Sequence, residues 1–449
     1  MIMKNQEKIH FPAPGGSFLN LTRPAAVLLL VVAMCFLNAG QIFTGKPDTG
    51  NKTISAGVAK VNITPRVPVV MAGYGSRTEP FKGINDELYA AATVFNDGIN
   101  KAAIITAEVI SFSHQCWEEL TSRIEQETGI RREFIILAPV HTHGAPSTRI
   151  HGDNVDKDLL EYNMALRDKL VAVTVEAVNN LQPSRIGMGS GICRMSMNRR
   201  ALNANGGIRL GKNPYGACDQ EVAVVRIDDQ EGNPVSIFVN WPTHATVMGG
   251  GNYMVTGDWP GAARRYVEGE FSFPLIATIT AGASGDIDPI YRVKPDFRWG
   301  EMEEIGIILG REVIRVAGEI TTWPAGPINA NQRLISLPGK EPSRSNQPEE
   351  VYKPGPDVDV TLSVLKVGNI VFAGISGEVF TEIGMRVKEL SPYKNTIVIT
   401  HCNGASGYLI TDHAFSEGGY EVSVTRAMPG GEKIIVDQLT EMINSLGSD

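Results

Sequence analysis

Apolar strand-like runs that alternate with amphipathic helical patterns set the tightest limit on how this chain folds. Residues 102–110 are rich in β-branched side chains and 134–140 form a continuous apolar run. Between them, His114–Thr128 carries Trp117, Leu120 and Ile124 at helical spacing. A long amphipathic helix over 159–181 is stopped by Pro183, and 222–227 with 235–239 make a hairpin across 228–234. The turn Thr256-Gly257-Asp258 precedes a helix that starts near Pro260, with Asp258 as its cap. Residues 275–280 read as a strand, 301–320 as a helix, and 360–367 with 370–375 as a second hairpin. A helix over 379–390, a strand over 396–400 and a closing helix over 432–446 complete the pattern, and 338–357 reads as an exposed insertion. The expected class is α/β, with mixed β-sheets flanked by helices.

The chain has 449 residues and a net charge of -8, with no lysine/arginine run, so nucleic acid is not an expected partner. Lys4, Lys8 and Arg23 precede an apolar run over 25–37. That run is short for a bilayer span and suits the core of a signal peptide. Residues 1–39 are therefore expected to be a signal peptide or N-terminal anchor, 40–55 a linker, and 56–449 the body. The body is expected to be exported, and so periplasmic, held in the cell envelope, or secreted. Cys35 lies in the leader; Cys116, Cys193, Cys218 and Cys402 are scattered, with Cys193 and Cys218 the nearest pair. No thiolate zinc site is expected.

Chemistry-bearing side chains cluster where apolar runs end. Residues 134–140 run into His141-Thr142-His143-Gly144, and 235–239 lead to His244. Residues 275–280 give way to Gly285-Asp286-Ile287-Asp288-Pro289, 370–375 to Gly377-Glu378, and 396–400 to His401 with Tyr408 beyond. Ligands of open α/β sheets gather outside the carboxyl ends of strands. If the extended geometry persists, His141 and His143 project to the same side; the plainer alternative is two loop histidines satisfied by carbonyls. His244 at a third strand end favours a metal. Imidazole, carboxylate and phenolate ligands without thiolates suit a catalytic Zn²⁺ with an open position.

These motifs resemble the neutral ceramidases, exported zinc amidases that cleave the N-acyl bond of ceramide. The resemblance runs over about 56–424. It begins with Gly-Val-Ala-Lys-Val-Asn-Ile-Thr-Pro at 57–65 and continues through Met71-Ala72-Gly73-Tyr74 and residues 83–90. His141-Thr142-His143, Thr243-His244, Thr256-Gly257-Asp258 and Gly285-Asp286-Ile287-Asp288-Pro289 follow in the family's order. It implies a Zn²⁺ held by His141, His244, Glu378 and Tyr408. It implies that His143, Arg199 and Tyr420 contact the substrate amide or its tetrahedral intermediate. It further implies a small-molecule or lipid substrate and association with a membrane surface.

Three departures stand out. The family's catalytic serine position holds Asp288, which is expected to act on a proton or to bind a polar substrate group. Gly144-Ala145-Pro146 replaces Ser-Gly-Pro after His143. No C-terminal immunoglobulin-like domain is expected after the catalytic region. The leading expectation is a zinc-dependent hydrolase of an N-acyl amide. The alternatives are a zinc hydrolase of the same fold acting on an ester, glycoside or other polar compound, and a non-catalytic envelope binding protein. Asp286 is expected to hold its turn or a histidine behind the metal, Arg199 beside Arg200 admits a solvated pair, Glu382 a surface position, and His151, His401 and His413 receive no role.

Overall fold

Valine-, isoleucine- and alanine-rich runs pair as strands in a computed structural model, which describes residues 54–150, 156–291, 299–343, 345–349 and 351–447. Eight of them form one sheet in the order Ile276–Ala281, Pro234–Trp241, Glu221–Asp228, Gln182–Ile192, Ile54–Asn62, Tyr89–Asn96, Lys101–Ala107 and Ile135–Pro139. The middle of the sheet is antiparallel. Both ends are parallel: Pro234–Trp241 pairs with Ile276–Ala281, and Lys101–Ala107 with Ile135–Pro139. Parallel neighbours need a crossover. Helices Asp258–Gly269 and His114–Thr128 supply these two.

A four-stranded sheet follows the order Ile328–Lys340, Pro354–Val367, Ile370–Ile375 and Asn395–Ile399. Its last two strands are parallel and are joined through helix Thr381–Leu390. Each parallel pair thus ends at one edge, and from those edges emerge the loops carrying His141, His244, Asp286, Glu378 and His401. Phe238 and Phe372 meet edge to face at 5.3 Å between the two sheets. Both are buried, and each such side chain contributes roughly 1.5–3 kcal/mol. Asn403 adds a polar stitch. Its amide donates to the Ile135 carbonyl (3.1 Å) and to Ser363 Oγ (2.9 Å), and its Oδ1 accepts from the Leu137 N–H (2.8 Å).

Helix Lys157–Asn179 buries Leu159, Leu166, Leu170 and Val173, and Asp156 caps it by accepting from the Asp158 and Leu159 N–H groups. It ends two residues before the expected 181, and Pro183 pairs with Ser55 inside the next strand. The expected insertion over 338–357 is narrower. The strands run on to Lys340 and resume at Pro354, leaving 341–353 as their connection. The expected linker is also shorter, because the first strand starts at Ile54. The leader, the rest of that linker and His151 lie outside the described residues. Cys116, Cys193, Cys218 and Cys402 are free thiols, so Cys193 and Cys218 are not bonded. No described helix is long and apolar enough to cross a membrane.

Candidate metal centre

His141 lies two residues beyond strand Ile135–Pro139, and His244 three beyond Pro234–Trp241. An isolated parallel bridge between Thr142 and Ala245 lays these loops side by side. Glu378 and Tyr408 are direct register partners in a short parallel pair, Glu378–Val379 with Tyr408–Leu409. Two backbone pairings therefore bring together four side chains from distant stretches of chain.

His141 Nδ1 lies 2.9 Å from the Ile110 carbonyl and His244 Nδ1 2.5 Å from the Ser284 carbonyl. A carbonyl only accepts, so both rings carry their hydrogen on Nδ1 and present a bare Nε2 lone pair. Those Nε2 atoms stand 3.5 Å and 3.3 Å from Glu378 Oε2, and His143 Nε2 is 3.3 Å from His141 Nε2. Among the described residues, His141, His143 and His244 place ligand atoms within 4.8 Å of one another. Acceptors converging on one point repel unless a cation lies between them, so this donor set fits a metal ion. Anchoring of the far ring nitrogen is the usual support of a metal-bound histidine. His141 and His244 have it, whereas His143 Nδ1 is buried without a partner.

Burial pushes His143 well below its ordinary pKa and His244 below it, favouring the neutral, lone-pair form. Burial works against ionising Glu378, and with both facing Nε2 atoms bare it is a cation held between them that would favour the carboxylate. The Tyr408 hydroxyl is pushed up by burial and also bonds Glu378.

Arg199 Nη2 donates to the Tyr408 hydroxyl at 3.0 Å, its Nε to Glu421 at 2.8 Å, and its Nη1 to Asp288 at 3.3 Å. Arg200 Nη1 donates to the other Glu421 oxygen at 3.0 Å. Burial disfavours the Arg199 charge, but Tyr408, Asp288 and Glu421 more than restore it. Arg199 and Arg200 are thus buried in an ion-pair network rather than solvated. A cavity of about 610 Å³ opens beside this donor set, lined by His141, His143, Glu378, His401, Tyr408 and Tyr420 among others. Neither Arg199 nor Asp288 lines it; both stand behind Tyr408. Tyr420 begins the helix Tyr420–Val424, its ring edge-on to Tyr408 at 5.9 Å.

The extended geometry expected through His141-Thr142-His143 does not persist. His141 is left-handed (φ 61°), and its ring meets that of His143 edge to face. His401 (φ 59°) is left-handed too. Such backbone is costly for residues with a Cβ, and here both follow a strand end at the cavity. The sequence gives His401 no role, yet it is buried and stacks on His141 at 3.8 Å, which fixes the plane of that ring. Its position directly after an apolar strand is the signal that marks it. Arg77 carries no such signal; its guanidinium ties together the carbonyls of Ala72, His143 and Gly249. His413 and Glu382 are exposed, as expected for Glu382.

Asp286 accepts from the Thr381 N–H and the Asn198 amide, both at 2.8 Å, so it holds its turn to the start of helix Thr381–Leu390. Gly285 makes this possible: a Cβ there would lie 2.6 Å from the Glu378 carbonyl oxygen. Asp258 accepts from the N–H groups of Val247, Met248 and Trp259, fastening the segment after His244 to a helix N-terminus. The Trp259 indole donates to the His244 carbonyl at 3.0 Å.

Burial raises Asp286 to about 7 and Asp258 to about 6. The unfolded chain releases these protons near pH 3.9 and the folded chain later. These two groups therefore contribute a fall in folding stability as pH rises from about 4 to about 7, opposed by His143 and His244, whose neutral folded forms contribute a rise over the same window. For Asp286 the loss is on the order of a few kcal/mol. Asp286→Asn should remove its share of that fall and leave a more positive slope of stability against pH, as read from urea unfolding of both proteins across the window. Equal slopes would refute the assignment.

The sequence pattern of the family described as "Neutral/alkaline non-lysosomal ceramidase, N-terminal" matches residues 55–291, more than half of the chain. The chain belongs to this family. The neutral ceramidase of Pseudomonas aeruginosa is 23% identical over 319 residues, covering 66% of this chain and 47% of that protein. Neutral ceramidase A of Dictyostelium discoideum is 23% identical over 289 residues, covering 59% of this chain and 40% of that protein. The matched stretches thus span less than half of these relatives' own length. A solved ceramidase complexed with C2 superposes with a TM-score of 0.76 at 18% identity, covering 88% of this chain and 75% of that one. The crystal structure of the Pseudomonas aeruginosa neutral ceramidase gives 0.73 at 17% identity with the same coverage. The fold is therefore the mixed α/β fold of neutral ceramidases.

Proposed function

We propose that the chain is a zinc-dependent hydrolase that cleaves an N-acyl amide bond, with ceramide or a related lipid amide as substrate class. One observation carries the reading: bare Nε2 atoms of His141 and His244 converge on Glu378, which with His141 lines a cavity. His141, His244, Glu378 and Tyr408 would hold the ion. When bound, zinc supplies Lewis acidity, polarising a carbonyl and lowering the pKa of water to about 7.

The chain's own residues do the rest. His143 and Tyr420, both on the cavity wall, hold the amide oxygen as it gains charge. Arg199 acts through Tyr408, directing that hydroxyl, and Asp288 and Glu421 hold Arg199 in place. Asp288 is thereby assigned to positioning rather than to proton exchange with substrate. Water adds to the acyl carbon, the C–N bond breaks, and the departing amine takes a proton. The apolar run over 25–37 supports export of the protein, which cell fractionation tests.

Metal analysis of the purified full chain, with hydrolysis of a fluorescent short-chain ceramide beside aryl esters and aryl glycosides, tests the reading. Zinc near one per chain and cleavage of the amide are expected. Zinc-loaded protein that cuts no N-acyl amide overturns it. Gly73→Ala is a sharper probe. Gly73 has φ +95°, and a Cβ there would lie 2.4 Å from His143 Nδ1. The variant is expected to keep its metal and to lose about 10²-fold in kcat/KM, the scale of a misplaced contact group. Steady-state kinetics with metal analysis reads both, and undiminished turnover would remove His143 from the mechanism.

A further inference from the structure

Alkyl-chain sites are walled mainly by apolar side chains, whereas the wall of this cavity is mixed. Its apolar part comes from Ala72, Ile110, Ala405 and Val424 and from the rings of Tyr74, Tyr408 and Tyr420, with no leucine, methionine, phenylalanine or tryptophan among the described lining residues. At about 610 Å³ it has the size of a small-molecule site.

Two further arginines line the cavity, Arg149 and Arg426, both exposed. The buried arginines nearby are committed: Arg77 to three carbonyls, Arg199 and Arg200 to carboxylates. Neither Arg149 nor Arg426 makes an ion pair or a side-chain hydrogen bond among the described residues. Among the described lining residues these two guanidinium groups stand against the single carboxylate of Glu378, which already faces His141 and His244, so the cavity carries an excess of positive charge in a chain of net charge -8. Guanidinium presents a planar fork that matches a carboxylate or phosphate.

We propose that this cavity selects an anionic N-acyl compound, one whose amine half carries a carboxylate or a phosphate, and that Arg149 and Arg426 bind that group. The inference rests on the hydrolase reading above for the bond that is cut, and not for the binding of the anion. Water adds to the acyl carbon, the C–N bond breaks, the amine takes a proton, and the anionic group passes through unchanged.

Three substrates of one acyl length separate the cases: N-lauroylglycine, N-lauroyl phosphoethanolamine and uncharged N-lauroylethanolamine. With the zinc-loaded full chain, at least one anionic substrate is expected to exceed the uncharged one by about tenfold or more in kcat/KM. Its KM should rise with salt. The better of the two anionic substrates identifies carboxylate or phosphate. The double variant Arg149→Gln/Arg426→Gln should erase the preference while keeping its metal content. Equal or better cleavage of N-lauroylethanolamine, or a preference that survives the double substitution, overturns the proposal. Calorimetric binding of the matching laurylsulfonamides, which are not hydrolysed, gives a readout independent of turnover. Salt-sensitive binding of the anionic sulfonamide that weakens about tenfold in the double variant supports the anion site even where no amide is cut. Amide cleavage with no charge discrimination in either assay sinks the anion site and leaves the hydrolase reading standing.

Discussion

His141→Ala is expected to abolish metal binding and to lower amide hydrolysis by about 10³-fold or more, the scale of a lost Lewis acid. The ring has three attachments that no other side chain replaces: its Nδ1 on the Ile110 carbonyl, its face on His401, and its Nε2 beside Glu378 and His143. His244→Ala should behave alike, because Ser284 and Glu378 hold that ring in the same manner. Chelation of the unaltered protein should reproduce the loss, and added zinc should reverse it; zinc cannot rescue His141→Ala. The measurements are metal content by mass spectrometry and kcat/KM on a short-chain ceramide. A variant that keeps one zinc per chain and full turnover would show that the convergence of these side chains is not the catalytic centre.

His401→Leu separates holding a ring from supplying a ligand atom. Leucine keeps an apolar face against His141 but removes the flat stacking partner at 3.8 Å. The expected result is about 10–100-fold weaker zinc affinity, as for loss of a group that orients a metal-bound histidine. A zinc-competition titration reads it, and unchanged affinity would show that stacking contributes nothing to the site.

The parts of this site that a sequence displays are those tied to strand ends. An apolar run that breaks at His141, His244 or Glu378 is visible because the hydrophobic period stops where the side chain begins to matter. Tyr408 lies in a two-residue strand with no period at all, and only family resemblance singles it out. His401 follows Asn395–Ile399 as plainly as His141 follows Ile135–Pro139. The resemblance offers it no counterpart, so a reading led by resemblance passes over it. Glu421 escapes for another reason. It stands beside Tyr420 on a five-residue helix, and a carboxylate on so short a segment reads as surface; its complete burial comes from Arg199 and Arg200 arriving from a different sheet.

The fold divides along the same line. Strands buried on both faces, such as Ile135–Pro139 and Ile370–Ile375, are continuous apolar runs and stand out. Ser196–Leu202 and Ile208–Asn213 do not, being rich in Arg, Asn and Lys. They form a three-stranded sheet with Ile287–Pro289, in which Asp288 opposes Met197 and Ile287 opposes Asn198. That pairing is what delivers Arg199 to Asp288. A polar strand of this kind exists to present side chains to the site, so its pattern follows the chemistry and not the core.

Glu421→Ala is expected to cost about 3–5 kcal/mol of folding stability, the range for breaking a buried ion pair from one side. Glu421 is fully buried and is shared by two arginines, Arg199 Nε at 2.8 Å and Arg200 Nη1 at 3.0 Å. Alanine leaves both donors without this acceptor and opens a void beside them. Asp288 still holds Arg199, and Glu417 and the Gly418 carbonyl still hold Arg200. The guanidinium of Arg199 then keeps two of its three partners and pivots, so its bond to the Tyr408 hydroxyl loosens. Glu421→Gln fills the same space and retains one acceptor oxygen, and it should cost about 1.5–3 kcal/mol, the worth of a hydrogen bond to a charged group. Urea unfolding of the two variants beside the unaltered protein measures the order. Zinc content should persist in both, since neither His141 nor His244 touches Glu421, while kcat on an amide substrate should fall further than KM changes. Losses below about 1 kcal/mol for alanine, or a glutamine variant less stable than the alanine one, would show that this network is held by Asp288 and Glu417 alone and that Arg199 reaches Tyr408 without Glu421.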